Sequence, residues 1–233
     1  LHRAPKLGGI AIELGEARRE VCERLCECLV EDKVARGTAR LDWTTEAAVA
    51  PAAPLLLEGL AKLEYRGYDS AGVAILERHE AASTTHRVRA AGKIVQLVTA
   101  LQSSPTTGTH GIGHTRWATH GGPTQDNAHP HFSAGVSVVH NGIIENHAAL
   151  RAGLSEDGFE FKSETDTEVI AHLVARALKE HSSLHEAVQA SVAQMQGAWA
   201  LCVISERHPE EIVVARHASP LLIGPYDAET SGH

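Results

Sequence analysis

The chain has 233 residues, a formal net charge of −8 at pH 7, 43% hydrophobic residues and 21% charged residues. A chain of this length forms one large or two small domains with a substantial core, and its composition is ordinary for a globular protein. The acidic balance argues against a nucleic-acid or anionic-membrane partner, because phosphate-rich surfaces require basic patches. No apolar run approaches the ~20 residues of a membrane span. Four cysteines in a chain of this length favour a reducing, cytoplasmic location over a disulfide framework.

The first 51 residues differ in texture from the rest of the chain. Apolar residues recur at helical spacing between Glu13 and Glu31, which predicts an amphipathic helix. Residues 41–51 are typical of a linker or a weak strand. Cys22, Cys26 and Cys28 have no fourth soft ligand nearby, so we interpret them as partly buried helix residues.

From Ala52 onwards the pattern is that of a mixed domain of helices and strands. Helices are predicted over 52–65, 93–101, 145–154, 165–178 and 183–195, and strands over 72–76, 111–117, 136–140, 198–204, 211–215 and 221–223. Capping boxes that begin at Thr165 and at Ser183 mark the starts of the last two helices. Strands that cluster between and after groups of helices favour sheets covered by helices.

The densest group of polar residues lies between His110 and His147. This segment contains seven of the sixteen histidines in the chain. The His129-Pro130-His131 segment offers two imidazoles to one ion. However, no HExxH or paired CxxC pattern accompanies them, and such spacing is usual in metal sites. We predict that the chain has no metal site and needs no cofactor. The alternative, a histidine-rich metal protein, predicts stoichiometric zinc or iron in the purified sample.

Three short motifs each have a structural and a functional interpretation. Arg116, beside Trp117, presents a planar guanidinium that suits bidentate recognition of a carboxylate. Asn141-Gly142 follows an apolar run and either forms a hairpin turn, which composition alone favours, or aims its donors at an oxyanion. Asp166 is either an acid in the first turn of a helix or a ligand for a substrate ammonium group.

Four ordered segments share a resemblance to one family. They read LEYRGYDSAG at 63–72, HTRWATHGGPTQDNAHPH at 114–131, VVHNGIIENHAALR at 138–151 and SETDTEVIAHLV at 163–174. They resemble the class II glutamine amidotransferase domains, most nearly those of the glutamine–fructose-6-phosphate aminotransferases, and the resemblance continues to Gly224. It covers about three quarters of the chain.

The resemblance implies a fold and a reaction. The fold would be α+β: a four-layer αββα N-terminal-nucleophile hydrolase with two stacked antiparallel sheets between helices. In the family an N-terminal Cys attacks the side-chain amide of L-glutamine, with its own α-amine as base. The ammonia that leaves passes to a sugar-phosphate isomerase domain, which makes glucosamine 6-phosphate. A homodimer is the expectation for the full-length enzyme.

The resemblance also implies roles for residues at matching positions. Arg116 would bind the α-carboxylate of glutamine and Asp166 its α-ammonium group, while Asn141 and Gly142 would form the oxyanion hole. Arg66 and Gly67 would line the pocket, and Thr119 and His120 would belong to the loop that closes over glutamine. Trp117 would gate the ammonia channel, and His129 would support the site.

The start of the chain departs from the family pattern, which begins Cys-Gly-Ile-Val-Gly. Counting back in register puts Leu41 where the nucleophilic Cys should be. We therefore expect residues 1–51 to be a non-family segment, 52–224 an incomplete amidotransferase domain that lacks its first strand, and 225–233 a non-family tail. The resemblance implies the glutaminase domain of a glutamine–fructose-6-phosphate aminotransferase, inactive in this chain because the nucleophilic Cys is absent. The alternative is a non-catalytic glutamine-binding module.

Overall fold

The computed structural model describes residues 51–118 and 121–221, together with the backbone of residues 9–13 and 37–42. The strands are β1 Gly9–Glu13, β2 Gly37–Asp42, β3 Ser70–Arg78, β4 Ser83–Ala91, β5 His110–Arg116, β6 His131–Ser133, β7 Val136–Gly142, β8 Trp199–Ser205 and β9 His208–His217. The helices are α1 Ala52–Leu63, α2 Ile94–Ser103, α3 His147–Glu156, α4 Thr167–Ala177 and α5 Leu184–Val192, and a 3-10 turn covers Glu64–Arg66.

The named strands form two sheets in which every pairing is antiparallel. The first sheet has the order β1-β5-β3-β4, and the second has the order β2-β9-β8-β7-β6. Helices α1 and α2 pack on the first sheet, whereas α4 and α5 pack on the second. The two sheets pack face to face between these helices, so the described part of the chain has four layers.

Apolar side chains fill each of the three spaces between these layers. The space between the two sheets is filled by Ala74, Leu76, Ile112, Val139, Cys202, Ile204, Ile212 and Val214. Separate clusters join α1 and α2 to the first sheet and α3, α4 and α5 to the second. All seven residues of β8 are buried because this strand lies between the inter-sheet layer and a helix layer. Each fully buried aliphatic side chain contributes about 1.5–3 kcal/mol.

Most elements predicted from Ala52 onwards are confirmed. All five helices and five of the six strands are present, with ends that shift by a few residues. Strands β4 and β6 were not predicted, because β4 reads STTHRVRAA, with few large apolar residues, and β6 is only three residues long. The predicted strand over 221–223 is not formed at Leu221, and its other two residues lie outside the described residues.

The first 51 residues contribute a strand to each sheet, which corrects the expectation that the first strand is missing. β1 pairs with β5 and β2 pairs with β9. Glu13 belongs to β1, so the helix predicted over 13–31 does not begin there, and its remaining residues, with the three N-terminal cysteines, lie outside the described residues.

One of the two predicted capping boxes is wrong. The N-cap residue of α4 is Asp166 rather than Thr165, and its side chain makes no capping bond. The carboxylate of Glu168 instead accepts bonds from the backbone N–H groups of Lys162 and Ser163 and from Ser163 Oγ, at 2.7–3.1 Å. The second box is confirmed, because Ser183 Oγ accepts the N–H of Glu186 at 3.2 Å.

None of the helices in the described ranges has the length and apolar character that crossing a bilayer requires.

We predict that Glu168→Ala lowers the free energy of unfolding by about 3 kcal/mol, because two buried donors of Ser163 and the part-buried N–H of Lys162 lose their acceptor. The exposed Glu186→Ala is the matched control and should cost less than about 1 kcal/mol. Urea denaturation of both variants measures the difference. Equal effects of the two substitutions would contradict the structural role of Glu168.

Candidate functional site

The candidate site lies where one central strand from each sheet ends. β5 ends at Arg116 in the first sheet, and β7 ends at Asn141-Gly142 in the second. Nε2 of His114 donates a hydrogen bond to Oδ1 of Asn141 at 3.0 Å, which joins the two strands across the sheets. Because the amide oxygen faces His114, the orientation of the Asn141 side chain is fixed.

Arg116 is a buried cation surrounded by acidic groups. Its guanidinium donates to the backbone carbonyls of Gly122 at 3.0 Å and of Gly121 at 3.1 Å, which holds the following loop against the end of β5. Burial lowers the pKa of Arg116, while the nearby carboxylates of Asp69 and Asp166 oppose that shift. The site therefore places fixed charges of both signs close together.

Asn141 and Gly142 belong to a strand, so the hairpin-turn interpretation is wrong. Both residues pair with β8, Asn141 opposite Ala200 and Gly142 opposite Trp199. Gly142 has a φ of 127°, and a Cβ at this position would lie 2.1 Å from the carbonyl oxygen of Ala198. Only glycine fits this backbone, since the conformation and the close approach both exclude a side chain.

Asp166 connects the start of α4 to the segment that follows β7. Its side chain is 6% exposed, and Oδ2 accepts the backbone N–H of Ile144 at 2.8 Å. This bond keeps the Asp166 carboxylate beside the end of β7, two residues after Gly142. The N-cap position also favours a negative charge, because the partial positive charge of the helix N-terminus stabilises it.

The Arg66–Asp69 segment borders the end of β5. Gly67 is buried, and a Cβ there would lie 2.7 Å from the carbonyl oxygen of Thr115, whereas Arg66 is exposed. Oδ2 of Asp69 accepts the backbone N–H of Ala118 at 2.7 Å. The half-buried Trp117 meets the exposed Tyr68 edge to face, with ring centroids 5.0 Å apart.

Four buried histidines stand behind the site and remain neutral near neutral pH. His129 stacks on His114 with ring centroids 4.2 Å apart and meets His131 at 5.0 Å. Burial lowers the pKa of His114 to about 4 and the pKa values of His129 and His131 well below the ordinary range. Burial also lowers the pKa of His140, whose Nδ1 lies 2.8 Å from Oγ1 of Thr167.

The histidines connect to the start of α4 through hydroxyl groups. Nε2 of His131 lies 3.0 Å from Oγ1 of Thr165, which in turn lies 2.9 Å from Oγ of Ser163. Ser163 donates to the Glu168 carboxylate. A continuous polar network therefore runs from Glu168 to His131, and ring contacts extend it to His114 and Asn141.

The structure gathers most of the predicted site residues at one edge of the sheets. His129 lies behind the site, and the ends of the strands bring together Gly67, Arg116, Trp117, Asn141, Gly142 and Asp166. Thr119 and His120 lie outside the described residues. Sequence reasoning gave no role to His114 or Asp69, although both lie within segments that carried the family resemblance.

Leu41 is not at this edge, which corrects the position inferred by counting. It lies in β2 and pairs with Ile212 of β9, at the far side of the second sheet. Counting failed because residues 14–36 separate β1 from β2, and the fold uses β1 as the neighbour of β5.

The described residues contain no group of three or more His, Cys, Asp or Glu side chains that could hold a metal ion. Burial and hydrogen bonding account for the histidines behind the site. The absence of a metal and of a cofactor remains a prediction from the sequence.

Comparison with known proteins agrees with the geometry. Residues 114–229 match the family model described as a glutamine amidotransferase domain. The chain carries a glutamine amidotransferase domain. Over 173 residues, or 74% of the chain, it is 56% identical to the glutamine–fructose-6-phosphate aminotransferase (isomerizing) of Shewanella oneidensis, and over 172 residues it is 52% identical to that of Aliivibrio fischeri. The chain spans 28% of the length of these relatives.

Solved amidotransferases share the fold of this domain. The match to the glutamine phosphoribosylpyrophosphate amidotransferase of B. subtilis covers 77% of this chain and 41% of the B. subtilis chain, with a TM-score of 0.57 and 24% identity. A structure described as the allosteric regulatory enzyme of purine biosynthesis matches the same shares with a TM-score of 0.58 and 26% identity. The predicted α+β fold of two stacked antiparallel sheets between helices is confirmed.

We predict that the domain loses stability as the pH falls from about 6.5 towards 4. The folded pKa of His114 lies below its unfolded value, so the unfolded chain binds more protons in this range and each such histidine costs up to about 1.4 kcal/mol per pH unit. His114→Gln should make the pH dependence shallower by nearly one proton, whereas the exposed His79→Gln should not. Urea denaturation from pH 4.5 to 7.5 measures the slopes, and equal slopes would contradict the prediction.

Proposed function

We propose that this domain binds L-glutamine at the edge formed by the ends of β5 and β7. The observation that carries the proposal is that Arg116, a buried cation, and the buried carboxylate of Asp166 lie close enough to interact electrostatically. A free α-amino acid carries one negative and one positive group on a single carbon, so its recognition needs both charges in fixed places.

The proposed roles follow from the chemistry of each group. Arg116 binds the α-carboxylate and Asp166 binds the α-ammonium group. Asn141 and the backbone N–H of Gly142 stabilise the oxyanion that forms when the side-chain amide is attacked. His114 holds the Asn141 amide in one orientation through its 3.0 Å bond, and it stays neutral because it is fully buried.

The remaining proposed residues surround these five. Gly67 permits close approach of the backbone to β5, and Arg66 lines the mouth of the pocket. His129 supports the site from behind, while Trp117 gates the path along which ammonia leaves. Thr119 and His120 belong to the loop that closes over glutamine.

We further propose that the domain is the glutaminase part of a glutamine–fructose-6-phosphate aminotransferase. Its relatives with more than 50% identity carry that name. In such an enzyme the ammonia released from glutamine passes to an isomerase domain that makes glucosamine 6-phosphate, and the full-length protein forms a homodimer.

Hydrolysis requires a thiol that the described site does not supply. Cys202, the one cysteine in the described ranges, lies in the layer between the two sheets, and burial raises its thiol pKa far above its ordinary value. A nucleophile must be a thiolate in contact with substrate. We therefore propose that this chain binds glutamine and does not turn it over.

We predict that L-glutamine raises the melting temperature of the chain and that Arg116→Lys weakens glutamine binding about 10- to 100-fold, through the loss of a bidentate carboxylate contact. Arg176→Lys is the control. Arg176 lies on α4, is partly exposed and pairs with Asp157 at the end of α3, not with the residues of the site. Isothermal titration calorimetry measures both affinities. Glutamine binding that is unchanged in Arg116→Lys would contradict the proposed role.

We also predict that the purified chain releases no ammonia from glutamine above the uncatalysed rate. A coupled glutamate dehydrogenase assay measures ammonia release, with glutamine at a concentration at which calorimetry shows the chain to be saturated. Binding without turnover supports the proposal. Measurable turnover would show that a nucleophile is present, and absence of both binding and turnover would contradict the assignment of the site.

A further inference from the structure

Asn127 is a buried residue to which the proposed function gives no role. It lies in the segment between β5 and β6 and is 2% exposed. Arg89, on β4, donates to the backbone carbonyls on both sides of it, to Asp126 at 3.0 Å and to Ala128 at 2.9 Å. These two bonds fix the backbone that carries the Asn127 side chain.

The Asn127 amide shares an acceptor with Arg116. Its Nδ2 donates to the backbone carbonyl of Gly122 at 3.1 Å, and Nη1 of Arg116 donates to the same oxygen at 3.0 Å. Nη2 of Arg116 donates to the neighbouring carbonyl of Gly121 at 3.1 Å. Gly122 is exposed, so the bond from the buried Asn127 is what keeps its carbonyl turned inward, towards Arg116.

The Asn127 amide is itself held in one orientation by Glu164. Oδ1 of Asn127 accepts the backbone N–H of Glu164 at 2.9 Å, and Nδ2 donates to Oε2 of Glu164 at 3.1 Å. The amide oxygen and nitrogen cannot exchange places, because an N–H needs an acceptor and a carbonyl needs a donor. A Cβ on Gly121 would lie 2.6 Å from Nδ2, so the loop can approach Asn127 this closely only with glycine there.

We propose that Asn127 is a positioning residue for glutamine recognition: it fixes the Gly122 carbonyl and thereby presents Arg116 to the α-carboxylate. This inference rests on the proposed role of Arg116. Asn127 is not itself a ligand of glutamine, because both of its N–H donors are used within the fold. A guanidinium that is held in advance loses less side-chain entropy when the carboxylate binds, so a fixed Arg116 binds glutamine more tightly.

The first test is a double-mutant cycle on the full chain, measured by isothermal titration calorimetry with L-glutamine. Asn127→Ser should weaken glutamine binding about 5- to 20-fold, which corresponds to the loss of one well-placed hydrogen bond. In the Arg116→Lys background the same substitution should change the affinity less than about two-fold, because its effect passes through Arg116. An equal loss in both backgrounds, or no loss when Arg116 is intact, would overturn the proposal.

Asn146→Ser is the matched control for loss of a buried bridge between two segments. Nδ2 of Asn146 donates to the backbone carbonyl of Gln194 at 2.8 Å, and Oδ1 accepts the backbone N–H of Gln196 at 2.9 Å. This bridge resembles that of Asn127 but does not include Gly122. Asn146→Ser should therefore leave the glutamine affinity within about two-fold of the unsubstituted chain. A loss as large as that in Asn127→Ser would show a general effect of stability and would overturn the proposal.

Asn127→Asp separates the two connections that Asn127 makes. It keeps an oxygen that can accept the N–H of Glu164 and loses the donor to the Gly122 carbonyl. We expect it to weaken glutamine binding at least as much as Asn127→Ser does. Native affinity in Asn127→Asp would assign the effect to the Glu164 bond and would overturn the proposed action through Gly122.

A second measurement follows Arg116 without glutamine. Phenylglyoxal modifies accessible guanidinium groups, and peptide mapping by mass spectrometry gives the rate at each arginine. Arg116 is 5% exposed, so its modification requires release from the Gly121 and Gly122 carbonyls. Asn127→Ser should speed this modification about five-fold, whereas Asn146→Ser should not. An unchanged rate in Asn127→Ser would overturn the proposal. A faster rate in a chain that does not bind glutamine would instead contradict the proposed function.

Discussion

The hydrogen bond from His114 to Asn141 connects the two sheets at the edge where the site lies. His114 lies near the end of β5, all of whose residues are buried, and Asn141 lies near the end of β7, whose first five residues are buried. The bond therefore sets the relative position of the two strand ends. Arg116 follows His114 by two residues and Gly142 follows Asn141 by one, so the geometry of the site depends on this contact.

Polar side chains at such depth are tolerated because they bond to one another. The network from Glu168 through Ser163 and Thr165 to His131 satisfies groups that would otherwise lack partners. Neutral histidines suit this position, since a charged imidazole would carry the desolvation cost of an ion in an apolar interior. Burying neutral histidines makes the domain sensitive to acid, and their contacts hold the residues behind the candidate site in fixed positions.

Periodicity and capping residues identified the helices and central strands because those elements are long and bury one continuous face. The same reasoning failed for β4, whose residues are mostly half-exposed and whose arginines reach loop carbonyls. It also misplaced the cap of α4, because Thr165 bonds to His131, a residue 34 positions away, and no local rule contains that partner. Ser183, whose partner lies three residues away, was predicted correctly.

The sequence by itself determined the family, the order of the elements from Ala52 onwards and the identity of the charged and amide residues at the site, because these are written in contiguous segments. Only the tertiary structure decided that Asn141-Gly142 ends a strand, that His114 orients Asn141 and that β1 rather than Leu41 borders the site. Those facts depend on pairing between segments that are distant along the chain. Strand pairing is chosen by the packing of whole layers, so counting along the chain cannot find it.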